Sequence, residues 1–250
     1  MKISVLTIFP DMLRPMLESS ILGRAVKNGI LEIELVNIRD FSDNKHRNTD
    51  DYPFGGGVGM LMMAQPIFSA FESVKTSESL SIYLSPQGQV LSPQIAKELA
   101  QEKHLILLCG HYEGVDQRVL DHLIDRELSI GDYVLTGGEL AALVVIDAAA
   151  RFVDGVLGSV DSACEDSFSD GLLEAPQYTR PADFKGMRVP EVLLNGNHAH
   201  IAAWQREMQL RVTLKKRPEL LKKAPLSEED KKTIEKIQAE EKLLAKKELL

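Results

Sequence analysis

Cysteine is nearly absent from this chain: Cys109 and Cys164 are the only two. No C-x-x-C occurs, so neither a disulfide framework nor a zinc knuckle is expected. Cys109 closes an apolar run and reads as a small buried hydrophobe. Long hydrophobic runs are missing too. The longest, LAALVVIDAAARFV, is interrupted by Asp147 and Arg151, which excludes it as a membrane span. The opening MKISVLTIFPDMLRP has too short an apolar run for a signal-peptide core, so a cytoplasmic protein without membrane contact is expected. The phosphate-cradling motifs are also lacking, since neither G-x-G-x-x-G nor a GK[ST] ending occurs.

A net charge of −8 excludes a general nucleic-acid coat protein, yet the charge is uneven. Residues 183–250 carry 15 Lys or Arg against 11 Asp or Glu, whereas residues 1–182 carry 14 against 26. Within 204–223, Arg206, Arg211, Lys215, Lys216, Arg217, Lys222 and Lys223 face only Glu207 and Glu219. Such a patch suits phosphate contacts, although on its residues alone a solvated helix face is the favoured reading.

Apolar runs and turn residues alternate through the first 158 positions. KISVLTI, LEIELVNI, SIYL, HLILLC and ELSI read as strands, and HLILLC is continuous enough to be covered on both faces. Helices are expected from about Asp11 to Lys27, after Gln65-Pro66, from Ser92-Pro93, over about Gly114–Ile124, and over GELAALVVIDAAARFV. That alternation predicts an α/β domain with a largely parallel sheet over 1–158. FSDNKHRNTDDYPFGGGVG is a polar loop of a length that compact domains seldom carry without function. Residues 159–176 are rich in Ser and Asp and read as a connector, and 177–250 as a small helical domain. The tail's apolar stripe (Ile234, Ile237, Leu244) is thin, which predicts partial packing.

Three glycine-bearing turns follow three of the strands: Ser85-Pro86-Gln87-Gly88, Gly110-His111-Tyr112-Glu113-Gly114 and Gly131-Asp132-Tyr133-Val134-Leu135-Thr136-Gly137-Gly138. Glycine admits close backbone approach to a ligand, and loops at strand ends can converge on one pocket. Their residue types suit an uncharged, adenosine-like ligand.

Together with TIFP, DYPFGGGVGM, IDAAAR, GVLG, EDSF, PQYTRP, VP-VLL-GNH and RPELL, these loops (in YLSPQG, CGHYEGVD and SIGDYVLTGGEL) resemble the bacterial tRNA (guanine-N1)-methyltransferases, knotted enzymes of the SPOUT class. The strings run in the family's order up to about residue 221. The resemblance implies an α/β domain with a deep trefoil knot, a small C-terminal α-helical domain and an obligate homodimer. It also implies S-adenosylmethionine as methyl donor, held by Tyr83, Ser85, Pro86, Gly110, Tyr112, Glu113, Ile130, Gly131, Asp132, Tyr133, Val134, Leu135, Gly137 and Gly138. The implied substrate is N1 of guanine 37 in tRNA with guanine at position 36. That nitrogen bears a proton, so a base must remove it and a cation near O6 would stabilise the developing charge. By resemblance these are Asp166 of EDSF and Arg151. Glu113 is a candidate Mg2+ contact, and an ordinary loop carboxylate is its alternative. Arg180, His46, Arg47, Arg206, Arg211 and Lys215 are candidate tRNA contacts.

Taken alone, Asp166 is one acid among five in the connector, and Arg151 is a helix C-terminal cation. Trp204 reads as a core anchor, and His198 and His200 as capping or surface groups. Val58, His111 and Ala141 depart from the family's usual residues. Another SPOUT target, a non-catalytic RNA binder and a nucleotide-binding enzyme are the competing readings.

Overall fold

The computed structural model describes residues 1–157 and 166–248, with side chains described to residue 243. Cys164, the Leu244 side chain and two of the five connector acids, Asp161 and Glu165, lie outside that set. The chain divides into two compact units, Met1–Val160 and Asp161–Leu250.

The first unit is built on five parallel strands: β1 (Lys2–Thr7), β2 (Glu32–Asn37), β5 (Ser79–Val90), β6 (His104–Cys109) and β7 (Arg126–Ser129). Their order across the sheet is β2-β1-β6-β5-β7. All six residues of β6 are buried, as expected of a central strand. Leu105, Leu107 and Cys109 point to one face, Ile106 and Leu108 to the other. The first face is covered by α1 (Pro10–Leu17), α2 (Ser20–Lys27), α4 (Pro93–Leu99) and α6 (Glu139–Ala150). The second is covered by α3 (Ala64–Val74) and α5 (Gln117–Leu123). This is the α/β sheet the alternating pattern predicts.

Two expectations are corrected here. The helix read over 11–27 is two helices, broken before Ser20, whose φ is +54°. Buried positions Leu13 and Leu17 are four apart, but Leu22 follows after five, so one straight helix cannot bury all three. The Ser19 hydroxyl donates to the Pro15 carbonyl and terminates the first segment. The strand read as SIYL runs on through Ser85–Gly88 as a bulge. Leu84 and Gln89 both pair with Leu128 of β7, so the intervening residues leave the ladder and return.

The long polar loop carries a small antiparallel pair, β3 (Asp50–Asp51) and β4 (Leu61–Met62). It docks on the β6–α5 loop: Met62 N donates to Gly114 O, Glu113 N to Met60 O and Asp116 N to Met62 O.

The second unit is held by α7 (His198–Lys216), α8 (Pro218–Leu221) and α9 (Glu228–Glu248). It also contains a hairpin, β8 (Asp183–Phe184) and β9 (Met187–Arg188), which the helical reading missed. Its core joins Leu172, Leu210 and Ile237, with Leu214, Leu221 and Ile234 alongside. Residues 166–176, read as part of a flexible connector, are therefore anchored at Leu172 and Ala175. Leu173 N donates to Thr213 Oγ1 and fixes that segment to α7. The start of the tail is likewise docked, since Ile237 is 0% exposed.

Candidate functional site

Parallel sheets open ligand crevices at the carboxyl ends of their strands. Here the loops that leave β6 and β7, with the bulge in β5, enclose a cleft of about 430 Å³. That volume suits a nucleoside-sized ligand. The cofactor-binding residues named by resemblance line this cleft, with the exception of Asp132. Sequence reasoning missed Leu128 and Ser129 at the end of β7 and Gln117 and Leu120 on α5. No motif marks these four; only the fold brings them there.

Backbone hydrogen bonds tie the loops together. Gly138 N donates to Gly110 O at 2.9 Å, and His111 bridges to Gly137. Glycine is obligatory at two of the contacts. A Cβ on Gly138 would lie 2.7 Å from the Cys109 Cα, and one on Gly88 would lie 2.5 Å from the Leu128 N, both fixed backbone. Ser129 closes the third loop: its hydroxyl donates to Gly131 O and accepts from Gly131 N, each at 3.1 Å. Tyr133 N donates to Gly131 O, and its hydroxyl to Ile130 O.

Burial, with Glu127 and Cys109 adding to it, raises the Tyr83 phenol above its usual range, so it stays protonated. Burial, and then the nearby Glu139 carboxylate, push the Cys109 thiol well up, in keeping with its place as a fully buried packing group. Glu113 lies over the glycine loop, with its carboxylate beside Gly59. Among the described residues, no cluster of three or more His, Cys, Asp or Glu is placed to hold a metal.

The two candidate catalytic residues fall in different units. Arg151 caps the end of α6, its N–H donating to Asp147 O. Asp166 opens a tight turn in which Ser169 N donates to Asp166 O and Phe168 N to Leu172 O.

The candidate RNA contacts divide by what they already hold. Arg206 is bound by Asp230 and Asp170, and Arg211 by Glu207 and Glu240. Asp230 is held far below the usual carboxylate range, first by the Arg206 guanidinium and then by hydrogen bonds from Ser227. Arg47 meets Asp40 at 2.8 Å on an exposed loop, and His46 and Arg180 are exposed. Lys215, Lys216, Lys222 and Lys223 are exposed, with no ion pair among the described residues. Trp204 is half-buried instead of a core anchor, its ring 6.4 Å from that of exposed Tyr178. His198 and His200 are surface groups; Asn197 caps α7 by accepting from His200 N.

Sheet, cleft and loop chemistry define an α/β enzyme scaffold with a ligand site at the carboxyl ends of its strands. Residues 1–223 match the family described as tRNA (Guanine-1)-methyltransferase TrmD, and the chain belongs to that family. It is 59% identical over 229 residues to a tRNA (guanine-N(1)-)-methyltransferase of Caldanaerobacter subterraneus subsp. tengcongensis, covering 91% of this chain and 95% of that one. A protein of the same name from Moorella thermoacetica is 54% identical, with 96% and 98% covered. Another, from Staphylococcus carnosus, is 53% identical, with 94% and 96% covered. No described helix is long and apolar enough to cross a membrane.

Proposed function

We propose that this enzyme transfers a methyl group from S-adenosylmethionine to N1 of guanine 37 in tRNA carrying guanine at position 36. The observation that carries this reading is the convergence of three family loops on one cleft of nucleoside size with no phosphate-binding motif. When bound, S-adenosylmethionine supplies an electrophilic methyl on a sulfonium. The glycine-lined loops hold its adenosine by backbone groups, and their chain path forms the family's deep trefoil knot. Glu113 would be the one carboxylate from this loop available to a Mg2+ ion, which would supply charge beside the methionine moiety.

The target nitrogen has no free lone pair while it is protonated. Asp166 would accept the N1 proton, which would free the nitrogen's lone pair to take the methyl group that the sulfonium would supply. Arg151 stabilises the charge that develops on O6. The guanine is extruded from the anticodon loop to reach this chemistry. RNA phosphates are met by Arg180, His46, Arg47 and Lys215 with its neighbouring lysines. Arg206 and Arg211 serve that surface indirectly, by holding α7 in place.

The working unit is a homodimer whose two subunits both contribute to each site. Exposed apolar side chains on two packed helices support it: Met12 and Met16 of α1, with Phe9 just before it, and Leu140 and Val144 of α6.

The decisive experiment is labelled-methyl transfer to an unmodified transcript with guanines at 36 and 37, followed by nucleoside analysis. A matched transcript carries adenine at 37. N1-methylguanosine from the first alone is expected, and its absence with S-adenosylhomocysteine binding intact would redirect the activity to another RNA target.

A further inference from the structure

Glu139 is 1% exposed, and it does not line the cleft. A carboxylate removed from water is tolerated only where partners replace the solvent. Its partners come from two other parts of the chain. Thr7, at the end of β1, donates its hydroxyl to Oε1 at 2.6 Å. His111, in the loop after β6, places Nε2 3.4 Å from Oε2. The same Thr7 hydroxyl accepts from Phe9 N at 2.9 Å, and the Phe9 ring meets the His111 imidazole edge-on at 4.8 Å between centroids. Thr7, Glu139, His111 and Phe9 thus close a ring of contacts. Glu139 is also the first residue of α6, where the helix dipole favours a negative charge.

Two walls of the cleft hang from this ring. His111 belongs to the second cofactor loop, and Glu139 directly follows Gly137 and Gly138 of the third. The two loops are in contact beside the ring through the Gly138 to Gly110 hydrogen bond. We propose that Glu139 is a positioning residue that latches these loops to β1 and sets the width of the adenosine slot. The inference rests on the S-adenosylmethionine reading above. Removing either end of the latch leaves the loops tied by backbone alone, so the ligand must bear the cost of ordering them.

The test compares Thr7→Val, Glu139→Ala and Glu139→Gln with wild type, by calorimetric titration with S-adenosylhomocysteine and by steady-state kinetics. Thr7→Val and Glu139→Ala should each weaken S-adenosylhomocysteine binding about tenfold, the scale of one hydrogen bond to a charged group. KM for S-adenosylmethionine should rise in parallel, with KM for tRNA and kcat within about twofold of wild type. Glu139→Gln keeps an acceptor for Thr7, and its amide NH2 can donate to His111 Nε2 once the ring proton sits on Nδ1, so it should restore binding to within about threefold. If Glu139→Ala does not fold, Thr7→Val and Glu139→Gln still decide. Thr7→Val binding as wild type does, or Glu139→Gln no better than Glu139→Ala, would overturn the latch. Equal losses in both KM values would mark a merely structural role and overturn it too. Wild-type protein that binds no S-adenosylhomocysteine would instead overturn the cofactor reading, and the latch with it.

Discussion

Arg206 of α7 and Asp230 of α9 face each other through two parallel hydrogen bonds, Nε to Oδ1 at 2.8 Å and Nη2 to Oδ2 at 2.9 Å. Asp230 is buried, and Arg206 also reaches Asp170 beside the Asp166 turn. The pair therefore pins the C-terminal helix and the Asp166 segment to α7 at once. Its Asp230 carboxylate is stabilised in the folded state, so that contribution is present above the unfolded value near 3.8 and is lost as pH falls below it.

Arg206→Ala should accordingly destabilise the C-terminal unit by about 2 kcal/mol, the cost of leaving a hydrogen-bonded charge without its partner. Helicity lost on urea titration and faster proteolysis within α9 would report it. Lys215→Ala should leave stability unchanged and weaken tRNA binding with a shallower salt dependence. If Arg206→Ala kept full stability while losing tRNA affinity, Arg206 would be a phosphate contact after all.

Gly138 offers a sharper test of the cleft. A methyl group there would meet the Cys109 Cα, which sits in the central strand and cannot yield. Gly138→Ala should push the third loop off the second and weaken S-adenosylhomocysteine binding by about 5- to 150-fold, an overpacking cost of about 1–3 kcal/mol placed at the site. The sheet lies behind the clash, so circular dichroism should remain that of wild type. Unaltered binding would mean that the loops approach the ligand differently from their approach in this structure.

How legible all this was in the sequence depends on the element. The central strand HLILLC announces itself by composition, because burial on both faces demands an unbroken apolar run. The bulge at Ser85–Gly88 does not. Its residues look like the end of a strand, and only Leu128, a partner more than thirty positions away, brings the chain back into the ladder. Segment 166–176 misleads for a related reason: only Leu172 and Ala175 are buried, while Phe168 is exposed, so its few apolar residues show no period to read. The loops assigned to the cofactor by resemblance have all their named residues but Asp132 in the lining of one cleft. The Thr7–Glu139–His111 cluster was invisible, since nothing in three distant strings says that their side chains touch.

His104 gives the sheet a pH dependence of definite sign. Its ring lies between Ser4 Oγ, 2.9 Å from Nε2, and Ser79 Oγ, 2.7 Å from Nδ1. Ser4 already donates to Glu34, so this partner set fits a neutral imidazole with its proton on Nε2. Burial, and then Lys2, lower the ring's pKa below the usual 6.5, against opposing pulls from Glu34 and Glu32. The unfolded chain therefore binds a proton more readily than the native state, and stability falls as pH drops through 6.5 towards the lowered folded value. Urea midpoints for wild type should decline over that window. His104→Asn, though less stable throughout, should show a flatter profile, and parallel profiles would assign the dependence to other groups.

Asp166 carries the largest claim. Methylation at N1 requires the proton to leave, and no amount of cofactor binding replaces a missing acceptor. Asp166→Asn keeps the size of the side chain and the backbone bond from Ser169 N, so the turn should survive while the carboxylate base is gone. Single-turnover methyl transfer should fall by about 10²–10⁴-fold, the range for a lost general base. Binding of S-adenosylhomocysteine and of tRNA should stay within about twofold of wild type, because the change is confined to the chemical step. A solvated loop acid, by contrast, would leave the rate almost untouched. A rate within tenfold of wild type would remove Asp166 as the base, and proton acceptance would have to be assigned elsewhere in the site.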